Sequence, residues 1–122
     1  MNTFTAGTSE GNLQGVRIGE PSYSNSFDGL TMVANTDYDM SIAGAYNVFS
    51  NCQGQSQITF TGIARANVLR SGTYTGDITN SSIYAQWYDR PTLSSSVTLT
   101  DAVTLGAERR YWKASTAEWT DA

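Results

Sequence analysis

QITFTGIARANVL, Gln57 to Leu69, is the stretch on which the reading of this chain turns. Ile58, Phe60, Gly62, Ala64, Ala66 and Val68 alternate with Thr59, Thr61, Ile63, Arg65 and Asn67. Successive side chains of a strand point to opposite faces, so a period of two marks a strand with one buried face. A turn signal, RSG, follows at Arg70 to Gly72. Next come TYT (Thr73 to Thr75), a Gly76–Asp77 turn, and a second strand, SIYAQWY, Ser82 to Tyr88. Its two faces are Ile83, Ala85, Trp87 and Tyr84, Gln86, Tyr88, and Asp89-Arg90-Pro91 stops it.

VTLT (Val97 to Thr100), AVTL (Ala102 to Leu105) and RRYWK (Arg109 to Lys113) extend the pattern toward the C-terminus. GVRI (Gly15 to Ile18) and LTMVA (Leu30 to Ala34) extend it toward the N-terminus. Short strands between regularly spaced turns predict an all-β fold, a single-domain antiparallel β-sandwich or small barrel. Residues 1–14 are expected as a flexible arm and 15–122 as one β domain. Within TDYDMSIAGAYNVFS, even positions from Tyr38 to Val48 alternate like a strand, while Tyr38, Ile42, Ala45 and Phe49 form a helical stripe. Gly44 weakens a helix by roughly 1 kcal/mol relative to alanine. We expect a strand pair bent at Ala43–Gly44, with one short helix near 37–49 as the alternative. TFTA (Thr3 to Ala6), TFTG (Thr59 to Gly62) and TYTG (Thr73 to Gly76) repeat a form at unequal spacings, which argues against a solenoid repeat.

The composition limits the chemistry. Serine and threonine number 30 of 122 residues, and charged residues are only 15%, below the roughly 25% of ordinary domains, so the surface is largely neutral and polar. Net charge is −4, and residues 1–64 hold one base, Arg17, against Glu10, Glu20, Asp28, Asp37 and Asp39. Nucleic acid needs clustered cations and is not an expected partner. No run approaches 18 apolar residues, so no membrane span is expected. MNTFTAGTSEG has no basic n-region and no apolar h-region, so it is not expected to be a signal peptide; the chain stays inside, has already lost its signal, or leaves a cell by lysis, and the last is the expectation for a virion protein.

No catalytic constellation emerges. GTSEG, Gly7 to Gly11, matches G-x-S-x-G, but a serine nucleophile needs a base and the chain has no histidine. NLQGVRIGEP after it cannot open a helix. Asp37 and Asp39 share a strand face and suggest a hard cation or acid–base work, but the rest of a calcium loop or a catalytic cleft is missing. Asn80-Ser81-Ser82 is a glycosylation sequon whose plain reading is a turn. Cys52, the single cysteine, excludes an intramolecular disulfide and lacks an activating neighbour. We expect no enzyme, metal or cofactor.

Two sets of residues carry the functional expectation. Thr3, Phe4 and Thr5 in the arm, with Arg109, Arg110, Tyr111 and Lys113, form a candidate protein interface, because arginine and aromatics favour interfaces and an arm can add a strand to a neighbour. Tyr84, Gln86, Trp87 and Tyr88 form a candidate sugar platform. The composition and the Thr/Ser/Gly-rich start resemble the small head-decoration proteins of tailed bacteriophages. That resemblance implies a compact β domain, often trimeric, clamping capsid joints with an arm ordered by the lattice. The expected function is a virion structural protein whose partners are copies of itself and a capsid. The alternative is a carbohydrate-binding module.

Overall fold

The alternation from Ile58 to Val68 is not one strand, because the chain turns a corner between Phe60 and Val68. The computed structural model describes residues 2–20, 22–84, 86–94, 97–101, 110–113 and 118–121. The first coil is β1 (Thr3–Thr5), β2 (Thr8–Glu10) and β3 (Gln14–Ile18). The second is β4 (Ser26–Asp28), β5 (Thr31–Val33) and β6 (Tyr38–Ile42). The third is β7 (Val48–Ser50), β8 (Gln53–Gly54) and β9 (Ile58–Phe60). The fourth is β10 (Val68–Arg70), β11 (Thr73–Tyr74) and β12 (Ile78–Asn80). The fifth is β13 (Trp87–Asp89), β14 (Thr92–Leu93) and β15 (Leu99–Asp101). A hairpin, β16 (Arg110–Lys113) against β17 (Glu118–Asp121), follows and is antiparallel.

Each strand pairs with the strand one coil later, giving three five-stranded sheets, β1-β4-β7-β10-β13, β2-β5-β8-β11-β14 and β3-β6-β9-β12-β15. All pairings within them are parallel. The architecture is therefore a parallel β-solenoid. This corrects the expected antiparallel sandwich or barrel, although the all-β class stands. No helix occurs among the described residues, and segment 37–49 is strand β6, a turn at Ala43–Gly44, and the start of β7.

The error has a physical source. Gln57 to Leu69 is not one strand but two, β9 and β10, on different sheets. Between them Gly62 (φ 60) and Ala66 (φ 48) adopt the left-handed conformation that breaks extended chain. Ile58 and Phe60 point inward, and after the corner Leu69 rather than Val68 does. The three threonine-flanked aromatics also lie apart: Phe4 on the first sheet, Phe60 on the third and Tyr74 on the second. Their unequal spacings reflect three sheets of one solenoid.

The true repeat is an amide two residues before a large apolar side chain. It reads Asn2-Thr3-Phe4, Asn25-Ser26-Phe27, Asn47-Val48-Phe49, Asn67-Val68-Leu69 and Gln86-Trp87-Tyr88. First-sheet register puts Thr3, Ser26, Val48, Val68 and Trp87 in one column, so the coil shortens from 23 residues to 19. After each first-sheet strand comes a left-handed residue: Ala6, Gly29, Asn51, Ser71 and Arg90. Another precedes three of the amides, at Ser24, Tyr46 and Ala66.

Those corners hold the amides inside, where they bond to one another. Asn25 N–H and Nδ2 both donate to Asn47 Oδ1 at 2.9 Å. Asn47 donates likewise to Asn67 Oδ1 at 3.0 and 2.9 Å, and Asn67 to Gln86 Oε1 at 3.0 Å. Each link satisfies a buried backbone N–H that a corner would otherwise orphan. Beside the ladder, Phe4, Phe27 and Phe49 stack with centroids 4.8 Å apart and planes 8° off parallel, one ring per strand spacing. Met40, Ile42, Ile58, Phe60, Leu69, Tyr74 and Ile78 fill the rest of the interior.

Candidate interaction surfaces

The groups that hinted at chemistry are spent on structure. Asp39 is fully buried, and its carboxylate accepts from Gln55 N–H at 2.6 Å, Ser56 N–H at 2.7 Å and Asn35 Nδ2 at 2.9 Å. It is a fastener between coils, while Asp37 lies exposed and apart from it. Ser9 Oγ donates to Gly15 O and accepts from Asn12 Nδ2, both at 3.1 Å, within a turn of the first coil. In the sequon, Asn80 is buried: its Nδ2 donates to Tyr84 O at 3.0 Å and its Oδ1 accepts from Ser82 Oγ at 2.7 Å. Cys52 is buried, its thiol directed at Ser50 O and Phe27 O, and burial pushes that thiol above its ordinary range. No group of three or more potential metal ligands occurs among the described residues.

The sugar-platform residues do not share a surface. Gln86 and Tyr88 point inward and are buried, and Trp87 points outward, 48% exposed. Tyr84 is half-buried with the Arg65 guanidinium 4.9 Å from its ring centroid, a cation–π contact. Other exposed rings are ones the linear pattern did not single out. Tyr23 and Tyr46 lie on the same corner of the solenoid, where Tyr23, Ala45 and Arg65 bridge in parallel from coil to coil. Because the corner advances one coil per 20 or so residues, no short window of sequence brings these rings together.

Of the expected interface residues, Thr3, Phe4 and Thr5 form β1, hydrogen-bonded to β4 as a strand of the first coil. Arg110, Tyr111 and Lys113 lie on β16, with Asp121, Thr120 and Glu118 as their opposite positions on β17. Arg109 lies outside the described residues.

The outer faces carry the neutral polar residues in columns. On the second sheet the column is Thr8, Thr31, Gln53, Thr73 and Thr92. On the third it is Arg17, Ser41, Thr59, Thr79 and Thr100. Parallel pairing repeats the side chains every ~4.8 Å, so hydroxyls line up along the solenoid axis. A shallow groove of about 290 Å³ runs over the second sheet between Thr31, Gln53, Gln55, Thr73 and Thr75. Charge is sparse here, and the ion pair Arg70–Asp89, at 3.1 Å, sits on the first sheet with both side chains half exposed.

At the N-terminal end the interior is open. Phe4, the first ring of the stack, is 50% exposed, and a cavity of about 370 Å³ lies between it, Phe27, Val16, Ile18, Asn25 and Leu30. Comparison with protein families, with curated proteins and with solved structures found no match to this chain.

Proposed function

We propose that this chain is a non-enzymatic structural and assembly module, of the kind that bacteriophage virions carry as decoration or minor structural proteins. It works by packing flat faces on a protein lattice. The observation that carries the reading is the pair of outer columns, on the second and third sheets, made almost wholly of threonine, serine and glutamine. Short hydroxyl side chains on a rigid sheet lose little rotamer freedom on contact, and they desolvate at far smaller cost than charges. A solenoid also holds its faces continuous from coil to coil, because each coil is braced by its neighbours. The buried state of Asp39 and Asn80 supports the same reading, since the acids and amides nearest to a site serve the fold.

The test is attachment. Thr59→Lys combined with Thr79→Lys places two charges on the third face without touching the core. The tagged wild-type chain is expected to co-sediment with intact phage particles from an induced lysate of its host, and the double variant to stay in the soluble fraction. A wild-type chain that never travels with particles overturns the reading.

A second reading, a carbohydrate-binding module, is favoured by one observation, the exposed Tyr23, Tyr46 and Trp87. Aromatic faces stack on sugar rings, and Arg65 stands nearby to bond hydroxyls. A glycan-array signal abolished by Trp87→Ala would replace the lattice reading with this one.

A further inference from the structure

Two of the chain's five glutamines are left over by the fold. Gln14 Nε2 donates to Tyr38 Oη at 3.2 Å, Gln57 Nε2 donates to Asp37 O at 2.9 Å, and Gln86 belongs to the amide ladder. Gln53 and Gln55 are exposed, and neither carboxamide has a hydrogen-bond partner among the described residues. Both line the groove of about 290 Å³ on the second sheet. That groove is a trough between two rails that run along the solenoid axis. Thr31, Gln53 and Thr73 form one rail in register. Val33, Gln55 and Thr75, two residues farther along each strand, form the other. Met32, Gly54 and Tyr74 lie buried between the rails, so the floor of the trough is backbone. The rails stand about 7 Å apart, and successive coils ~4.8 Å.

The fold fixes the middle of this trough from below. A Cβ on Gly54 would stand 2.9 Å from Asp39 Oδ2, so glycine leaves room for the buried carboxylate beneath β8. There the carboxylate accepts from the N–H groups of Gln55 and Ser56, and Gln53 N–H donates to Leu30 O at 2.9 Å. The backbone of both glutamines is therefore set before any ligand arrives, which lowers the cost of binding one.

We propose that the trough binds a neutral linear polysaccharide laid along the solenoid axis, with Gln53 and Gln55 as its principal contacts. A carboxamide donates and accepts at once, which suits the neighbouring hydroxyls of a sugar, and the hydroxyls of Thr31 and Thr73 extend the same chemistry along one rail. A pyranose ring spans about one coil step and carries hydroxyls on both edges, so it can bond to both rails while its face lies on the floor. Charge narrows the class. No lining residue is charged, and Glu10 pairs opposite Val33 on the next strand, so an acidic polymer finds no counter-charge and meets a carboxylate. An extended peptide does not fit. It repeats every two residues, about 6.8 Å, out of step with the coils, and alternate side chains would be driven into the floor. The inference goes beyond the lattice reading, whose test is placed on the third face.

The test is titration calorimetry of the full chain with cellohexaose, mannohexaose, chitohexaose and maltohexaose, and with hexagalacturonic acid as the acidic counterpart. Saturable binding of at least one neutral hexasaccharide is expected, and none of the acid. Gln53→Ala and Gln55→Ala should each weaken that binding about fivefold, the equivalent of one hydrogen bond. Both side chains are exposed, and circular dichroism and melting curves establish that the variants are folded. Leu13→Ser, at an exposed position outside the trough, should leave the affinity unchanged. No saturable binding of any neutral hexasaccharide overturns the proposal, as does binding of the acid with equal affinity. Affinity indifferent to both glutamine substitutions overturns it too, and if Trp87→Ala then abolishes binding, the sugar sits on the exposed ring instead. Co-sedimentation with particles is measured separately, so this proposal and the lattice reading fail by different results.

Discussion

Single residues in this chain owe their importance to what stacks above and below them. Asn47 is fully buried and bonds in both directions along the ladder. Asn47→Ala strands the Asn25 N–H and amide, and should lower unfolding free energy by about 2–4 kcal/mol in urea melts, since each orphaned buried donor costs about 1–3 kcal/mol. Tyr74 presents the opposite case. Its hydroxyl is buried without a hydrogen-bond partner among the described residues, and burial holds the phenol far above its ordinary 10.0. Tyr74→Phe should therefore be neutral or stabilising by up to about 1 kcal/mol. Cys52 is likewise raised above its ordinary 9.0, first by burial. Both groups ionise at higher pH in the fold than in the unfolded chain. Their stability contribution is complete well below pH 9, where both unfolded groups keep their protons, and is lost progressively as the pH rises through 9 toward the folded values. Urea midpoints should fall above pH 9, and the combination of Cys52→Ala with Tyr74→Phe should flatten that fall. A midpoint that rises with alkaline pH would contradict the burial of both.

At the scale of elements, corners and stacks decide more than strand propensity. The first-sheet strands are only three residues long and gain most of their stability from the column they join. Phe49→Ala, in the middle of the ring stack, should cost about 3–5 kcal/mol, and Phe4→Ala markedly less because half of that ring already meets water. Corner residues with positive φ hold strain that glycine lacks. Ala66→Gly should raise stability by about 0.5–1 kcal/mol, the left-handed penalty less the added chain entropy. Gly72→Ala should do the reverse, by more than about 2 kcal/mol, because φ is +83° and a Cβ there would collide with the Cys52 carbonyl oxygen. Urea denaturation of the pair separates the two effects. These corners also explain how the strands of residues 57–69 were legible and their connection was not. Alternation marks which residues are half-buried, but it continues through a turn as readily as along a strand. Only Gly62 hinted at the break, and Ala66 did not.

For the molecule as a whole, a solenoid spreads stability along an axis, with each coil leaning on its neighbours. Hydrogen exchange followed by mass spectrometry should show the slowest amides in β7 and β9 of the central coil and the fastest in β1, β2 and β3, whose outer side is open. Amides of the first coil as slow as those of the third would contradict this gradient. The neutral faces and the aromatic corner belong to this scale too. Thr59 and Thr79 are 20 residues apart in the chain and adjacent on the surface.

The amino-acid sequence by itself determined the all-β class, the half-buried strands, the neutral exterior and the lack of a histidine-based catalytic centre, because composition and two-residue periodicity are local properties. The repeat was also present, as an amide two residues before Phe4, Phe27, Phe49, Leu69 and Tyr88, but its period drifts from 23 to 19 residues and its last amide is glutamine. Only the tertiary structure decided that the strands run parallel and that Gln86 and Tyr88 face inward. Strand direction and burial depend on hydrogen bonds between residues about twenty apart, and no local pattern encodes which of two faces a coil will close upon.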